Sequence, residues 1–411
     1  MAVRVRHSLT SHSVADAYAP VLILAPQPFL EDRGTPIATF ELAKALIELG
    51  HEVDVLTFPM GRHVELPGLR VFRVSNPFFI RHVPIGFSVR KVLLDLSMAV
   101  AMRRMLKRRD YAAVHAVEES AFLAVIGRRA GVPVIYDMAS SIPEQLARTK
   151  GIGGRVWRGL LNRCERWLLG RVDRVVCSRG LAEKVRAAAP GKPVHEWVFL
   201  PVNAANAVEA TDLRERLRIA DATLVAVYAG SFAPYQGLDE LLRAVPEVVK
   251  SARNFHLLLV GADASSRSLV ERLARDLGVA GHVTVLERQP RETIPGYLAL
   301  ADVLVLPRGW GSNVPLKLFD YRRAGKPIVS SIDSAHELTE ANAGVVRVEH
   351  TPQALAKALI EILVDDAARQ KLTIAACASV GTSADHGEYL RLVGDLYQGL
   401  GPPVDAIRRV A

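Results

Sequence analysis

Short apolar runs alternate with amphipathic stretches twice along this chain, and that doubled rhythm constrains the fold more than any single motif. The first pass opens with an apolar run at 21–25, a turn-rich loop at 26–36 and a helical stretch at 37–49 that Gly50 ends. Runs at 52–57, 70–74, 113–116, 132–136 and 174–177 follow, one of them after a long amphipathic helix. The second pass opens at 224–228, with a loop at 230–237 and a helix at 238–251. Runs at 256–260, 282–286 and 303–306 continue it, with a helix at 266–277. Strands alternating with helices build parallel sheets covered on both faces. The fold class is therefore α/β, as two doubly wound domains. Such sheets bind ligands beyond the carboxyl ends of their strands. The loops at 26–36, 230–237, 287–290 and 308–313, with the turns after Ala116 and Tyr136, are expected to line a cleft.

The boundary is expected within 193–212, where Pro201 and Asn203 precede a small-residue patch. Residues 1–18 read as a disordered extension, 19–203 as the first domain and 204–385 as the second. Residues 386–411 read as a C-terminal helix packing back on the first domain, after a helical stretch at 352–380. At 411 residues, each domain can bury a core of its own.

A net charge of +9 calls for anionic company. The basic residues are widely spread and match no nucleic-acid-binding pattern, so nucleic acid is not an expected partner. Cys164, Cys177 and Cys377 are too few and scattered for a disulfide framework or zinc site. They suit a reducing cytoplasm. No apolar run reaches the 18 residues that a spanning helix needs. The N-terminus lacks the apolar core of a secretory signal.

The stretch 307–327, Pro-Arg-Gly-Trp-Gly-Ser-Asn-Val-Pro-Leu-Lys-Leu-Phe-Asp-Tyr-Arg-Arg-Ala-Gly-Lys-Pro, carries the most chemistry. A buried strand leads into a glycine-bearing loop, 309–313, and a helix expected to start near Pro315 with Asn313 as its cap. Loop amides and helix N-termini bind anions, so a phosphate is the natural guest. Lys317 and Asp320 lie three residues apart on one helix face. The lysine suits a phosphate and the aspartate a ribose or sugar hydroxyl pair. An ordinary strand–loop–helix with solvated charges accounts for the same residues.

Four fragments in order complete a larger pattern. They are Val-Tyr-Ala-Gly-Ser-Phe-Ala-Pro-Tyr-Gln-Gly at 227–237, Leu-Leu-Val-Gly at 258–261, Tyr-Leu-Ala-Leu-Ala-Asp-Val-Leu-Val-Leu-Pro at 297–307, and the motif just described. Over roughly residues 20–400 the chain resembles the GT-B glycosyltransferases, specifically the large retaining family numbered four. The resemblance implies two facing Rossmann-like domains with a cleft between them. The C-terminal half would grip a nucleotide-sugar, a substrate and not a cofactor, and the N-terminal half would present a glycan or lipid-linked acceptor. The family's signature has two glutamates eight positions apart; here Ser312 and Asp320 stand there. Where relatives often carry Arg and Lys after the first strand of this half, the chain has Ser231 and Gln236. Arg308 and Lys317 are their expected substitutes, aided by the amides of Gly309 and Gly311. Such cations and amides stabilise a leaving diphosphate by several kcal/mol. Gly230, Ser231, Gly309, Gly311, Ser312, Asn313 and Asp320 are thus the expected donor-binding residues of this half.

In the first half, Asp32-Arg33-Gly34-Thr35-Pro36 resembles the family's first loop, where Gly34 would let backbone approach the diphosphate. A simple capped turn is the alternative. His115, Glu118 and Glu119 sit at the end of a strand, and both acceptor binding and helix capping account for them. Many relatives have a histidine in the loop after the next strand. Here Ala139 is near that place, with Asp137 the nearest polar substitute and Ser140 and Ser141 as further hydrogen-bonding candidates. Asp137, Arg308 and Lys317 are accordingly the expected catalytic residues, and no Asp-x-Asp metal motif accompanies them.

Two segments, 90–109 and 155–174, are strongly basic around apolar and aromatic residues. They suit an anionic membrane surface, which places the protein in the cytoplasm or peripherally at the inner face of the cell membrane. Helices packed on their own sheet also account for them. Two other functions remain open: a degenerate GT-B protein that binds without turnover, and a nicotinamide oxidoreductase. The latter lacks a Gly-x-Gly-x-x-Gly after either opening strand.

Overall fold

The computed structural model describes residues 3–4, 18–31, 34–77, 79–81, 83, 88–141, 143, 155–197, 210–309, 315–331, 344–380 and 386–400. The chain forms two compact units, Met1–Pro201 with Ala384–Ala411, and Val202–Ser383.

The first unit is built on seven parallel strands: β1 Tyr18–Ala25, β2 His51–Thr57, β3 Leu69–Arg73, β4 Ala113–Val117, β5 Val134–Met138, β6 Arg174–Cys177 and β7 Val194–Glu196. Their spatial order is β3-β2-β1-β4-β5-β6-β7. Val21 to Ala25 and Val114 are fully buried, as expected of central strands covered on both faces. The helices of this unit include α1 Gly34–Glu48, α2 Val89–Arg108, α3 Ser120–Gly127, α4 Arg155–Leu169 and α5 Arg179–Ala188. In α2, Leu94, Met98, Met102 and Leu106 recur every four residues and form the buried stripe. Each such side chain, fully buried, contributes about 1.5–3 kcal/mol.

The second unit has six parallel strands: β8 Leu224–Ala229, β9 Phe255–Ala262, β10 Val283–Glu287, β11 Val303–Leu306, β12 Ile328–Ser330 and β13 Val345–Arg347. Their order, β10-β9-β8-β11-β12-β13, repeats the first unit's plan. Its helices include α6 Ala210–Leu217, α7 Leu238–Ser251, α8 Ala264–Asp276, α9 Ile294–Ala299, α10 Lys317–Arg323, α11 Pro352–Val364 and α12 Asp366–Val380. A last helix, α13 His386–Tyr397, belongs to the first unit. There Arg174 donates to the carbonyls of Leu396 (2.6 Å) and Gln398 (2.7 Å), satisfying acceptors at the helix end.

Several elements differ from the sequence reading. The boundary segment at 193–212 begins with the edge strand β7, and β13 is a second edge strand that the apolar pattern does not show. Three-residue strands carry no readable period. The single helix expected at 352–380 is two, because Asp365 leaves helical geometry and its carboxylate accepts from Ala368 N at 3.0 Å, starting α12. Helix α8 starts at Ala264 because Asp263 and Ser266 form a reciprocal cap. Helix α1 opens at Gly34 itself, and α10 begins at Lys317, two residues past Pro315. Within residues 1–18, Val3–Arg4 pairs in parallel with Val64–Glu65.

Candidate active site

Both sheets reverse their strand order between the first strand and its crossover neighbour, β1 beside β4 and β8 beside β11. Loops leaving such a pair in opposite directions open a crevice at the strands' carboxyl ends. The polar residues that do not serve packing gather at these two places.

In the second unit, Lys317 lies at the start of α10 and extends into the crevice between β8 and β11. Its ammonium donates to Tyr228 Oη at 2.7 Å and Gln236 Oε1 at 2.9 Å. Tyr228 Oη in turn donates to the Ser231 carbonyl at 2.7 Å, and Gln236 Nε2 donates to Ser231 Oγ at 3.4 Å. Burial first, then the charge of Arg308, holds the Lys317 pKa well below that of an ordinary lysine. Arg308 is itself buried, its guanidinium 5.5 Å from the Tyr235 ring centroid. Two cations are thus held close together in a poorly solvated crevice, which favours an anion arriving there.

Glycine is required around this network. A Cβ at Gly230 would stand 2.4 Å from Lys317 Nζ. One at Gly237, where φ is +74°, would meet the Pro307 carbonyl oxygen at 2.2 Å. One at Gly309 would overlap His350 Cδ2 at 2.1 Å. The two loops therefore touch through bare backbone, with the His350 imidazole packed on both. Asp320, on the next turn of α10, keeps 22% of its side chain exposed and lies 3.9 Å from Arg291. Burial raises its pKa, against the pull of Arg291 and Arg323. Gly311, Ser312 and Asn313 lie outside the described residues, as does Arg33 of the first loop.

In the first unit, β4 ends at Val117 and the chain turns through Glu118, whose φ of +51° is unusual for a residue other than glycine. Such strain is kept where a side chain must point one way. Lys91 of α2 reaches Glu119 at 2.5 Å and Glu118 at 4.0 Å. Asp95, one turn along α2, completes a cluster of three carboxylates around that lysine. Burial, then Glu119, raises the Glu118 pKa to about 7 against the pull of Lys91. The same causes raise Asp95 to about 7. Near neutral pH these groups both donate and accept hydrogen bonds, which suits a ligand rich in hydroxyls.

His115 is not at the surface: it is 0% exposed, with Nε2 3.3 Å from Asp137 Oδ2 and Nδ1 2.7 Å from Tyr397 Oη. Any part it plays runs through Asp137, whose side chain remains 15% exposed. Ser141 is taken by Glu165 of α4 at 3.1 Å, while Ser140 and Ala139 are half-buried. Gly34, exposed, opens α1, and Asp32 and Arg33 before it lie outside the described residues.

Comparison with known proteins fits this geometry. Residues 33–203 match the domain family described as "Glycosyl transferase 4-like domain", and residues 209–377 match "Glycosyl transferases group 1". The chain is a family-four glycosyltransferase of the GT-B fold. The glycosyltransferase is 25% identical to the phosphatidyl-myo-inositol mannosyltransferase of Mycolicibacterium smegmatis over 362 residues, 84% of this chain and 85% of that protein. It is 28% identical to the D-inositol 3-phosphate glycosyltransferase of Corynebacterium diphtheriae over 201 residues, 47% of this chain and 46% of the relative, so that match spans about half of each. Its fold matches sucrose-phosphate synthase of Thermosynechococcus elongatus with a TM-score of 0.74 at 18% identity, covering 93% of this chain and 99% of that one. Family membership removes the nicotinamide oxidoreductase from consideration.

Among the residues that the glycosyltransferase's sequence did not single out, Tyr228 and His350 reach the crevice from a buried strand and from the end of β13. Lys91 and Asp95 were readable in principle: they are charged residues on the buried side of α2, four positions apart. No local signal marks Tyr397, which lies 282 residues from its partner.

Proposed function

We propose that this glycosyltransferase moves a hexosyl unit from a nucleotide-sugar to a hydroxyl of a lipid-linked or cell-surface glycan precursor, with retention of configuration. The observation that carries the reading is the pairing of the buried Arg308 with the half-buried Lys317, beside Gly230 and Gly309 at the second sheet's switch point. In this reading the pair receives the diphosphate, with Ser231 and the amides of Gly309 and Gly311 beside it. Asp320 takes the ribose hydroxyls, and Ser312 and Asn313 the donor sugar. Glu118 and Glu119, with Asp95, bind acceptor hydroxyls.

Retention by a front-face route needs no protein base. The acceptor oxygen bonds to the anomeric carbon as the bond to the leaving phosphate breaks, and the acceptor proton passes to that phosphate. Stabilising the leaving charge is then the main task, and it falls to Arg308 and Lys317. Asp137 orients the donor sugar or acceptor in place of the family's histidine. The two inositol-linked relatives make a phosphorylated polyol the first acceptor class to try.

A membrane surface is part of the proposal. Helix α2 exposes Val89 (71%), Val92, Leu96 (60%) and Val100 along one stripe, with Arg103, Arg104, Lys107 and Arg108 at its end. Ile126, Leu160 and Trp167 are exposed on α3 and α4; the side chains of Arg155, Trp157 and Arg158 lie outside the described residues. No helix among the described residues is long and apolar enough to cross a membrane. Apolar side chains beside basic ones suit anionic lipid at the inner face of the membrane, each nearby cation contributing about 1 kcal/mol.

The test is release of nucleoside diphosphate from a panel of nucleotide-sugars, with phosphoinositide vesicles as acceptor and the product's anomeric configuration read by NMR. Turnover with an inverted product removes the front-face route. Nucleotide binding without turnover across the panel makes the chain a binding protein.

A further inference from the structure

We propose that Tyr397, on the C-terminal helix α13, is a positioning residue for Asp137 and acts through His115; this rests on the role given to Asp137 above. Ile135 pairs with His115 across β4 and β5, so Asp137, two residues on, shares that face of the sheet. His115 is fully buried, and a buried imidazole needs partners for both nitrogens. A carboxylate only accepts, so Nε2 carries the proton facing Asp137 Oδ2. In the neutral ring Nδ1 is then the acceptor, and the Tyr397 hydroxyl donates to it.

The two bonds are unequal. The contact to Asp137 is long at 3.3 Å, whereas the one to Tyr397 is 2.7 Å. The shorter bond fixes the ring, assisted by near-parallel stacking of the two rings at 13° and 6.0 Å. Tyr397 is itself anchored, since Arg174 binds the carbonyls on either side of it and Trp197 stacks on Tyr389 of the same helix. Helix α13 thus sends one hydroxyl to the carboxyl end of the first sheet. There it holds the imidazole that holds Asp137.

Tyr397→Phe removes the hydroxyl and keeps the stacking ring. We expect kcat to fall about tenfold, the worth of one ordinary hydrogen bond, with the donor KM unchanged. The His115 Nε2–H resonance should broaden or shift in nitrogen-15 spectra. Because Tyr397 acts through Asp137, the double variant with Asp137→Asn should be no slower than Asp137→Asn alone. If Asp137→Asn slows turnover but Tyr397→Phe does not, or if the two losses multiply, the positioning role is wrong while the reading of Asp137 stands. If Asp137→Asn leaves kcat unchanged, the reading of Asp137 fails and takes this proposal with it. An unmoved His115 resonance in Tyr397→Phe overturns the relay whatever the kinetics.

Discussion

Gly230→Ala should damage the diphosphate site by displacing Lys317, without replacing any ligand-binding side chain. The new Cβ would stand 2.4 Å from Lys317 Nζ and 2.8 Å from Cε, where carbon contacts settle at about 3.5–4.0 Å. The lysine end must therefore retreat by about 1 Å or more, leaving Tyr228 and Gln236. The colliding atoms are the free end of a flexible side chain, so the fold is expected to persist. A charge-assisted hydrogen bond contributes about 1.5–3 kcal/mol, and 1.4 kcal/mol is tenfold in Kd, so diphosphate affinity should fall about 10–150-fold. Calorimetry with a nucleoside diphosphate and its parent nucleoside is the assay, and only the diphosphate should weaken. Combining Gly230→Ala with Lys317→Met closes the cycle. If the glycine matters by making room for the lysine, the double variant binds no worse than Lys317→Met. Additive losses, or equal losses for the nucleoside, would refute the reasoning.

Lys317 titrates below an ordinary lysine, so diphosphate binding should take up protons in alkaline buffer below pH 10.5. Calorimetry in buffers of different ionisation enthalpy reads that uptake, and Lys317→Met should abolish it. The same depressed pKa makes the unfolded chain bind more protons above it, so this group's contribution to stability rises with pH toward 10.5. Glu118 has the opposite sign: its contribution is fully present below pH 4.5 and is lost as pH rises through about 7. Glu118→Gln should therefore be more stable than the native chain at pH 8, measured by thermal unfolding, while the two converge in acid. Asp54 is 1% exposed and accepts from Arg70, Arg109 and Tyr111. Asp54→Ala strands the buried Tyr111 hydroxyl and releases two partly exposed guanidiniums, and should cost about 1–3 kcal/mol in denaturant titrations.

Central strands and long helices were legible because burial leaves a period in the sequence. Val303–Leu306 and Leu238–Ser251 lie where the apolar pattern puts them. Edge strands β7 and β13 were not, since three residues hold no period and their pairing is decided by the neighbouring strand. The second unit's crevice was legible in part. Arg308, Lys317 and Gly230 come together because a switch point collects the loops after β8 and β11, which topology alone implies. Burial of the lysine against Tyr228 was not legible, because a tyrosine inside an apolar strand reads as core. His115 shows the limit most clearly. Its place at a strand end suggested contact with an acceptor, whereas α13 covers it and satisfies it with a hydroxyl from the far end of the chain.

A crystal structure with a bound nucleoside diphosphate tests the central claim most directly. The account expects the diphosphate oxygens within hydrogen-bond distance of Lys317 Nζ and the Arg308 guanidinium, beside the Gly230 and Gly309 backbone, with the ribose hydroxyls on Asp320. A nucleotide seated away from the β8–β11 crevice, or one whose phosphates leave Lys317 bonded to Tyr228 and Gln236 alone, would contradict it.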